Sequence, residues 1–398
     1  MLARASLPRL AAAALLALAA ACGDPADSTP PALGPIAPGQ GTDIAGAPGW
    51  KWIPFNDAWC TDMLAPGVFT RSPTGLAVSW GTGKDLVIYL QGGGACWDFI
   101  TCGGAASLVT GTPTASTGPF GPNQFAADIY ARYPNAWVRR DKMPTAIATA
   151  TVVFVPYCTG DVHTGDRVTT YASTIPGLPA ITWHHLGHAN LEAFLRRLAP
   201  GVALGAGDRL VVAGSSAGGF GALANYPTIR ARWPSAKAYL VDDSGPPLAG
   251  DAIPPASRAA WYASWNMAAA LGSFCPECSG DLSQGLVHVL ASYPTDRVAL
   301  LSHTRDAVIR DFFGTQSPSP PFLTPKDPAV FEAELRALGT AVIAPTANGR
   351  YFFTLGITSG TGHPTLEDPT VITAPAPGLA AWIEAMLSDS VDWANAAP

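Results

Sequence analysis

Charge is scarce in this chain. Only 13% of its 398 residues are Asp, Glu, Lys or Arg, and the formal net charge is −6. Without a basic excess there is no surface suited to a nucleic-acid partner. Near the N-terminus, the Ala/Leu run from Leu10 to Ala21 is too short to cross a bilayer, which takes about 20 apolar residues. No internal repeat is visible, so a solenoid or propeller is not indicated. No GK[ST] follows the glycine cluster at 92–94, which disfavours a Walker-type phosphate loop. Paired CxxC knuckles and an HExxH helix are missing as well, and no metal or cofactor is implied.

What is plentiful is apolar. Hydrophobic residues make up 48% of the chain, enough for a large core and too much for a disordered polymer. The 41 glycines and 38 prolines point to many turns and long irregular loops, and the 12 tryptophans to core and rim positions. Arg4 and Arg9 precede the Ala/Leu run, and Ala19-Ala20-Ala21 precede Cys22. Residues 1–21 therefore read as a signal peptide of an exported protein. Small residues before Cys22 resemble a bacterial lipoprotein signal, with Cys22 as the lipidated residue. The expected location is the cell envelope, at the outer membrane or cell surface, or outside the cell. A lipid anchor would then be the sole contact with a membrane.

Removing Cys22 leaves six of the seven cysteines. An even set in an exported chain reads as disulfides. Cys96/Cys102 and Cys275/Cys278 are locally spaced, leaving Cys60 and Cys158 as a long-range pair. Residues 22–48, rich in Pro, Gly, Ala, Asp and Thr, read as a disordered tether. Residues 49–398 read as one domain.

Within it, apolar strands alternate with helical patterns. Leu86–Leu90, Ala150–Pro156, Leu210–Ala213, Ala238–Val241 and Val298–Leu301 are near-continuous apolar runs. His184–Leu198, the stretch from Ala217, Phe331–Leu338 and Leu379–Leu387 have helical spacing. That pattern predicts an α/β fold: a doubly wound, mostly parallel sheet with helices on both faces. Sites in such sheets lie at the carboxyl ends of the strands.

The candidate site residues fall there. Gly214-x-Ser216-x-Gly218 stands between a strand and a helix, the setting of a nucleophile elbow. Its neighbours Gly214, Ser215, Ala217, Gly218 and Gly219 are all small, as a tight strand-to-helix turn requires. Upstream, Gln91-Gly92-Gly93-Gly94 follows a strand and reads as an oxyanion loop, with Gly93 or Gly94 and Ala217 as N–H donors. In this fold the order should be serine, acid, histidine. His363, in the Gly-rich stretch 359–364, is the candidate base, with His303 in reserve and His288 read as structural. Asp306 is the favoured acid and Asp243 the alternative. The His184, His185 and His188 cluster is read as structural.

These residues, taken with several further blocks, resemble the pectin acetylesterase and Notum family of α/β-hydrolases. The resemblance is carried by Cys60-Thr61-Asp62, by Leu90–Trp97 followed by Cys102, and by Pro156-Tyr157-Cys158-Thr159-Gly160-Asp161-Val162-His163-Thr164-Gly165. Ala213–Gly219 and Asp243-Ser244-Gly245 continue it. It implies a Ser216/Asp306/His363 triad, an oxyanion hole from Gly93, Gly94 and Ala217, and Cys60–Cys158 and Cys96–Cys102 bridges. It also implies hydrolysis of O-acyl esters, with O-acetyl groups on a polysaccharide such as pectin expected as substrate. Trp97, Asp161 and His163 are expected to shape the pocket. Longer acyl or polyester substrates, or a catalytically inactive carbohydrate-binding surface lipoprotein, are the other readings.

Overall fold

The computed structural model describes residues 33–65, 68–103, 114–132, 137–316, 323–355, 363, 365 and 378–398. The expected signal peptide, Cys22 and most of the stretch 356–377 lie outside the described residues.

The main-sheet strands are β1 (Thr42–Asp43), β2 (Lys51–Ala65), β3 (Val68–Ser79), β4 (Leu86–Leu90) and β5 (Thr151–Val155). After a small ribbon of β6 (Arg167–Tyr171) and β7 (Ile181–His185), the sheet continues with β8 (Arg209–Ser215), β9 (Lys237–Asp243) and β10 (Arg297–His303). A second ribbon, β11 (Thr315–Gln316) with β12 (Leu323–Thr324), precedes the last sheet strand, β13 (Gly349–Thr354). Among the described residues the order is β1-β2-β3-β5-β4-β8-β9-β10-β13. From β5 to β13 every pairing is parallel, and β1, β2 and β3 add an antiparallel edge.

The parallel strands are buried on both faces, and their side chains alternate between two cores. Ile88, Leu90, Val153, Val212, Leu240 and Leu300 face one way. They meet Leu191, Phe194 and Leu195 of helix α1 (Gly187–Leu198). Val87, Tyr89, Phe154, Val211, Val241 and Leu301 face the other, against Trp382, Ile383 and Met386 of the C-terminal helix at 379–387. A strand flanked by helices on both sides cannot afford polar residues, so these strands read as unbroken apolar runs. The fold is the expected α/β-hydrolase type.

Two departures have plain causes. The expected tether is folded against the domain from Leu33 onward. Ile36 is fully buried, its N–H donates to Arg197 O, and β1 pairs with β2. Pro and Gly shaped that stretch into turns without keeping Ile36, Ile44 and Ala47 out of the core. The helix expected from His184 begins only at Gly187. Ile181, Trp183 and His185 alternate inward along β7, so period-two burial outweighs the helical spacing that continues past them.

Of the three disulfides, Cys60–Cys158 joins β2 to the loop after β5, Cys96–Cys102 closes the loop after β4, and Cys275–Cys278 spans a short turn.

Candidate active site

Four strand ends converge. β8 ends at Ser215, and Ser216 turns the chain into helix α2 (Ala217–Ala224). Ser216 adopts φ 58° and ψ −123°, a left-handed conformation that a non-glycine residue holds only when its surroundings enforce it. The enforcement is steric. A Cβ on Gly214 would meet Gly218 O at 2.0 Å, and one on Gly218 would meet Leu90 O at 2.0 Å. The Ser216 N–H is held by Asp243 O at 2.7 Å. The small residues of the motif thus let strand, turn and helix pass close enough to hold Ser216 at the mouth of the helix, where N–H dipoles favour a developing negative charge.

The glycine loop after β4 lies beside it. A Cβ on Gly92 would come within 3.0 Å of the Ser216 Cβ. Gly93 and Gly94 have φ of 154° and 74°. Among the described residues, nothing accepts a hydrogen bond from the N–H groups of Gly93, Gly94 or Ala217. The loop's carbonyls, by contrast, are engaged. Ser116 N–H donates to Gly93 O at 2.7 Å, and the Tyr157 hydroxyl donates to Gly94 O at 2.8 Å. Gly94 and Ala217 line the cleft that Ser216 faces, whereas Gly93 does not.

At the end of β10, Asp306 caps helix α3 (Ala307–Phe312). Its Oδ1 accepts the N–H groups of Val308 and Ile309 at 3.0 and 2.9 Å. Its Oδ2 lies 2.7 Å from His363 Nδ1. Burial pushes this carboxyl up, but the adjacent His363 and the Ile309 N–H outweigh it and hold Asp306 below the usual carboxylate range. An ionised carboxylate only accepts, so Nδ1 carries the proton and Nε2 is the basic nitrogen. That is the tautomer a general base for a serine hydroxyl needs. The reserve histidine, His303, faces Thr354 Oγ1 at 2.8 Å through Nδ1 instead.

A cleft open to solvent lies beside Ser216. Its walls are apolar: Phe220, Leu223 and Ala224 along α2 and Val162 from the loop after β5, with Trp261, Trp265, Met267, Leu271, Leu282, Ile309, Phe312 and Phe313 around them.

Three expected pocket residues are not in its wall. Trp97 is 2% exposed and stands behind Trp261, edge-on at 5.4 Å. Asp161 and His163 are 0% and 1% exposed, while their neighbours Val162 and Thr164 line the cleft. The cause is a pair of consecutive left-handed residues, Val162 and His163, which fold the loop so that the imidazole turns inward. Burial lowers His163 to about 4, so the ring is neutral, and Nε2 donates to Gln91 O at 2.8 Å. Burial raises Asp161 to about 6 against hydrogen bonds from Gly187 N–H, the Thr159 hydroxyl and His163 N–H. Together they brace the glycine loop after β4 and the start of α1.

Among the described residues, two side-chain groups have metal-ligating types within 4.8 Å of one another: Cys96, Cys102 and His185, and Cys275, Glu277 and His288. In each, the cysteines are spent in a disulfide and cannot ligate as thiolates. The other histidines of the cluster have structural partners: His185 bridges Tyr171 Oη and Thr159 O, and His188 meets Asn225 Oδ1.

A family model described as pectinacetylesterase matches residues 55–253, half of the chain. No curated protein sequence matches. Among solved structures, two crystal forms of the Wnt deacylase Notum from Drosophila are similar. One is 16% identical with a TM-score of 0.58, covering 88% of this chain and 95% of that one. The other is 15% identical with a TM-score of 0.54, covering 86% and 94%. At that identity the likeness carries the fold.

Proposed function

The chain belongs to the pectinacetylesterase family of ester hydrolases, and from that premise we propose that it is an exported serine carboxylesterase. The observation that carries the mechanism is the 2.7 Å contact between His363 Nδ1 and Asp306 Oδ2, with Asp306 two strands along the sheet from the strained Ser216. In this reading His363 Nε2 takes the Ser216 proton as Oγ attacks the ester carbonyl. Asp306 stabilises the imidazolium. The N–H groups of Gly93 or Gly94 and of Ala217 receive the oxyanion, and water releases the acyl group from the acyl-enzyme.

The cleft bears on acyl length. An acetyl group needs little room, whereas an apolar cleft beside the nucleophile suits a hydrocarbon chain. Helix α2 runs along it, with Leu223 and Ala224 in its wall. At ~1.5 Å of rise per residue, Ser216 to Leu223 spans about 10 Å, the length of an extended acyl chain of roughly eight carbons. We therefore favour a medium-chain O-acyl ester over the O-acetyl polysaccharide ester suggested by family resemblance. Three disulfides support an oxidising, extracytoplasmic location, where lipidation at Cys22 would tether the domain.

The test is kcat/KM on p-nitrophenyl acetate, butyrate, octanoate and palmitate, with Ser216→Ala as control. The medium-chain reading expects a maximum near octanoate. A maximum at acetate would restore the acetylesterase reading, and no turnover of any ester would sink the enzyme claim.

A further inference from the structure

Two carboxylates stand at adjacent strand ends: Asp306 meets the histidine ring, and Asp243 lies one strand nearer Ser216. Asp243 ends β9, between the strand that delivers Ser216 and the strand that delivers Asp306. Its residue is fully buried. One carboxylate oxygen, Oδ2, accepts the Ser215 hydroxyl at 3.1 Å. The other, Oδ1, accepts the Thr365 N–H at 2.9 Å and the Ser244 hydroxyl at 3.1 Å. Its backbone oxygen takes the Ser216 N–H at 2.7 Å. Thr365 is braced a second time, its N–H reaching Ser244 Oγ at 3.3 Å and its hydroxyl lying 3.2 Å from the same atom.

We propose that Asp243 is a positioning residue that fixes the distance between nucleophile and base. It grips the residue before Ser216 with one oxygen and the residue two after His363 with the other. The inference rests on the Ser216–His363 reading above. The physical case is that His363 comes from a long connection after β13, while Ser216 is held rigidly by the sheet. Asp306 orients the imidazole through the ring, but a ring contact does not fix the height of the backbone that carries it. The Thr365 N–H does so, two residues along. A buried carboxylate accepting several hydrogen bonds is a stiff anchor, because releasing any one strands a polar group in a dry site. Proton transfer between serine and histidine is steeply sensitive to small displacements. Ser244, at φ 61°, is itself bent so that its hydroxyl joins the bridge, and its N–H is tied to Leu301 O at 2.8 Å.

The full-length protein hydrolysing p-nitrophenyl butyrate gives the test. Asp243→Ala should lower kcat by about 30-fold with KM within about twofold, as for loss of alignment without loss of binding. Asp243→Asn should recover to within about fivefold of wild type, since its amide oxygen can take the Thr365 N–H and its NH2 can face the Ser215 hydroxyl. In a His363→Ala background, whose residual turnover is still measurable, Asp243→Ala should cost less than about twofold, because no imidazole remains to be misplaced. Equal losses in both backgrounds, a loss confined to KM, or an unchanged kcat in folded Asp243→Ala would overturn the inference. Should Asp243→Ala not fold, Ser215→Ala and Ser244→Ala each remove one hydroxyl of the bridge. A kcat loss of about threefold from either supports the proposal, and none from both overturns it. Full activity in Ser216→Ala or His363→Ala would instead refute the underlying mechanism.

Discussion

Asp306 divides its two oxygens between two tasks: Oδ1 caps a helix through Val308 and Ile309 N–H, and Oδ2 meets His363 Nδ1 at 2.7 Å. The helix therefore fixes the carboxylate, and the carboxylate fixes the imidazole. An Asn at 306 can still cap, since its amide oxygen accepts. Its NH2 would then face His363 and impose the wrong tautomer. Asp306→Asn should lower kcat by about 10⁴-fold while leaving the melting temperature within a few degrees. Ester turnover and a thermal melt of the same sample check both halves.

Tyr157 braces the glycine loop after β4. Its hydroxyl donates to Gly94 O and accepts Val162 N–H, both at 2.8 Å. Tyr157→Phe takes this partner from two half-buried backbone groups, at a cost of about 1 kcal/mol. Because Gly94 is then free to rotate, kcat should fall about tenfold at constant KM. Denaturant unfolding and steady-state kinetics separate the two effects, and an unchanged kcat would remove Tyr157 from the machinery.

Acid should act against two buried histidines. Burial holds His163 near 4 and His185 near 3, against about 6.5 in the unfolded chain. As pH falls below 6.5 the unfolded chain takes up protons that the native state refuses, so stability falls. Asp306, held low in the fold, loses its contribution in the same direction as pH drops. Asp161, raised by burial to about 6, keeps a proton that the unfolded chain releases, and so opposes the trend between about 6 and 3.9. Asp242, raised well above the usual carboxylate range by burial and by the adjacent Asp243, opposes it too, so the share carried by the two histidines is the part that a substitution can isolate. Urea midpoints at several pH values measure it. His185→Gln should flatten the slope, and a slope unchanged by that substitution would count against this account.

Gly285 lies in the cleft wall on the helix at 283–292. A Cβ there would meet a single atom, Cys278 Sγ, at 3.4 Å. No close approach demands glycine, so the missing side chain leaves room in the cleft. Gly285→Leu should lower kcat/KM on octanoate by at least about tenfold while changing acetate less than about twofold. Gly285→Ala should raise stability by up to about 1 kcal/mol. Equal losses on both esters from the Leu variant would move the acyl chain elsewhere.

Much of this was legible in the sequence because the signals were local. The apolar runs of β4, β5, β8, β9 and β10 and the small residues around Ser216 announce themselves without knowledge of the rest. What escaped depends on contacts across the fold. Asp161 and His163 sit in a distinctive block, but only the left-handed turn at Val162 and His163 decides that they face inward. The Asp243-Ser244-Gly245 block could be noticed, yet its link to Thr365 crosses 122 residues. The β2–β3 ribbon was hidden because its residues alternate unevenly between buried and exposed around a bulge.

Helix α2 is capped by Ser216 and forms part of the cleft wall as far as Ala224. On the proposed mechanism it would be a ruler whose zero mark is the nucleophile itself. Substrate length is then measured from the bond that breaks, and no slack between two separate elements can blur the measurement. Altering selectivity by shifting this helix would move the zero with the scale, so changes in chain length can enter only from the opposite wall.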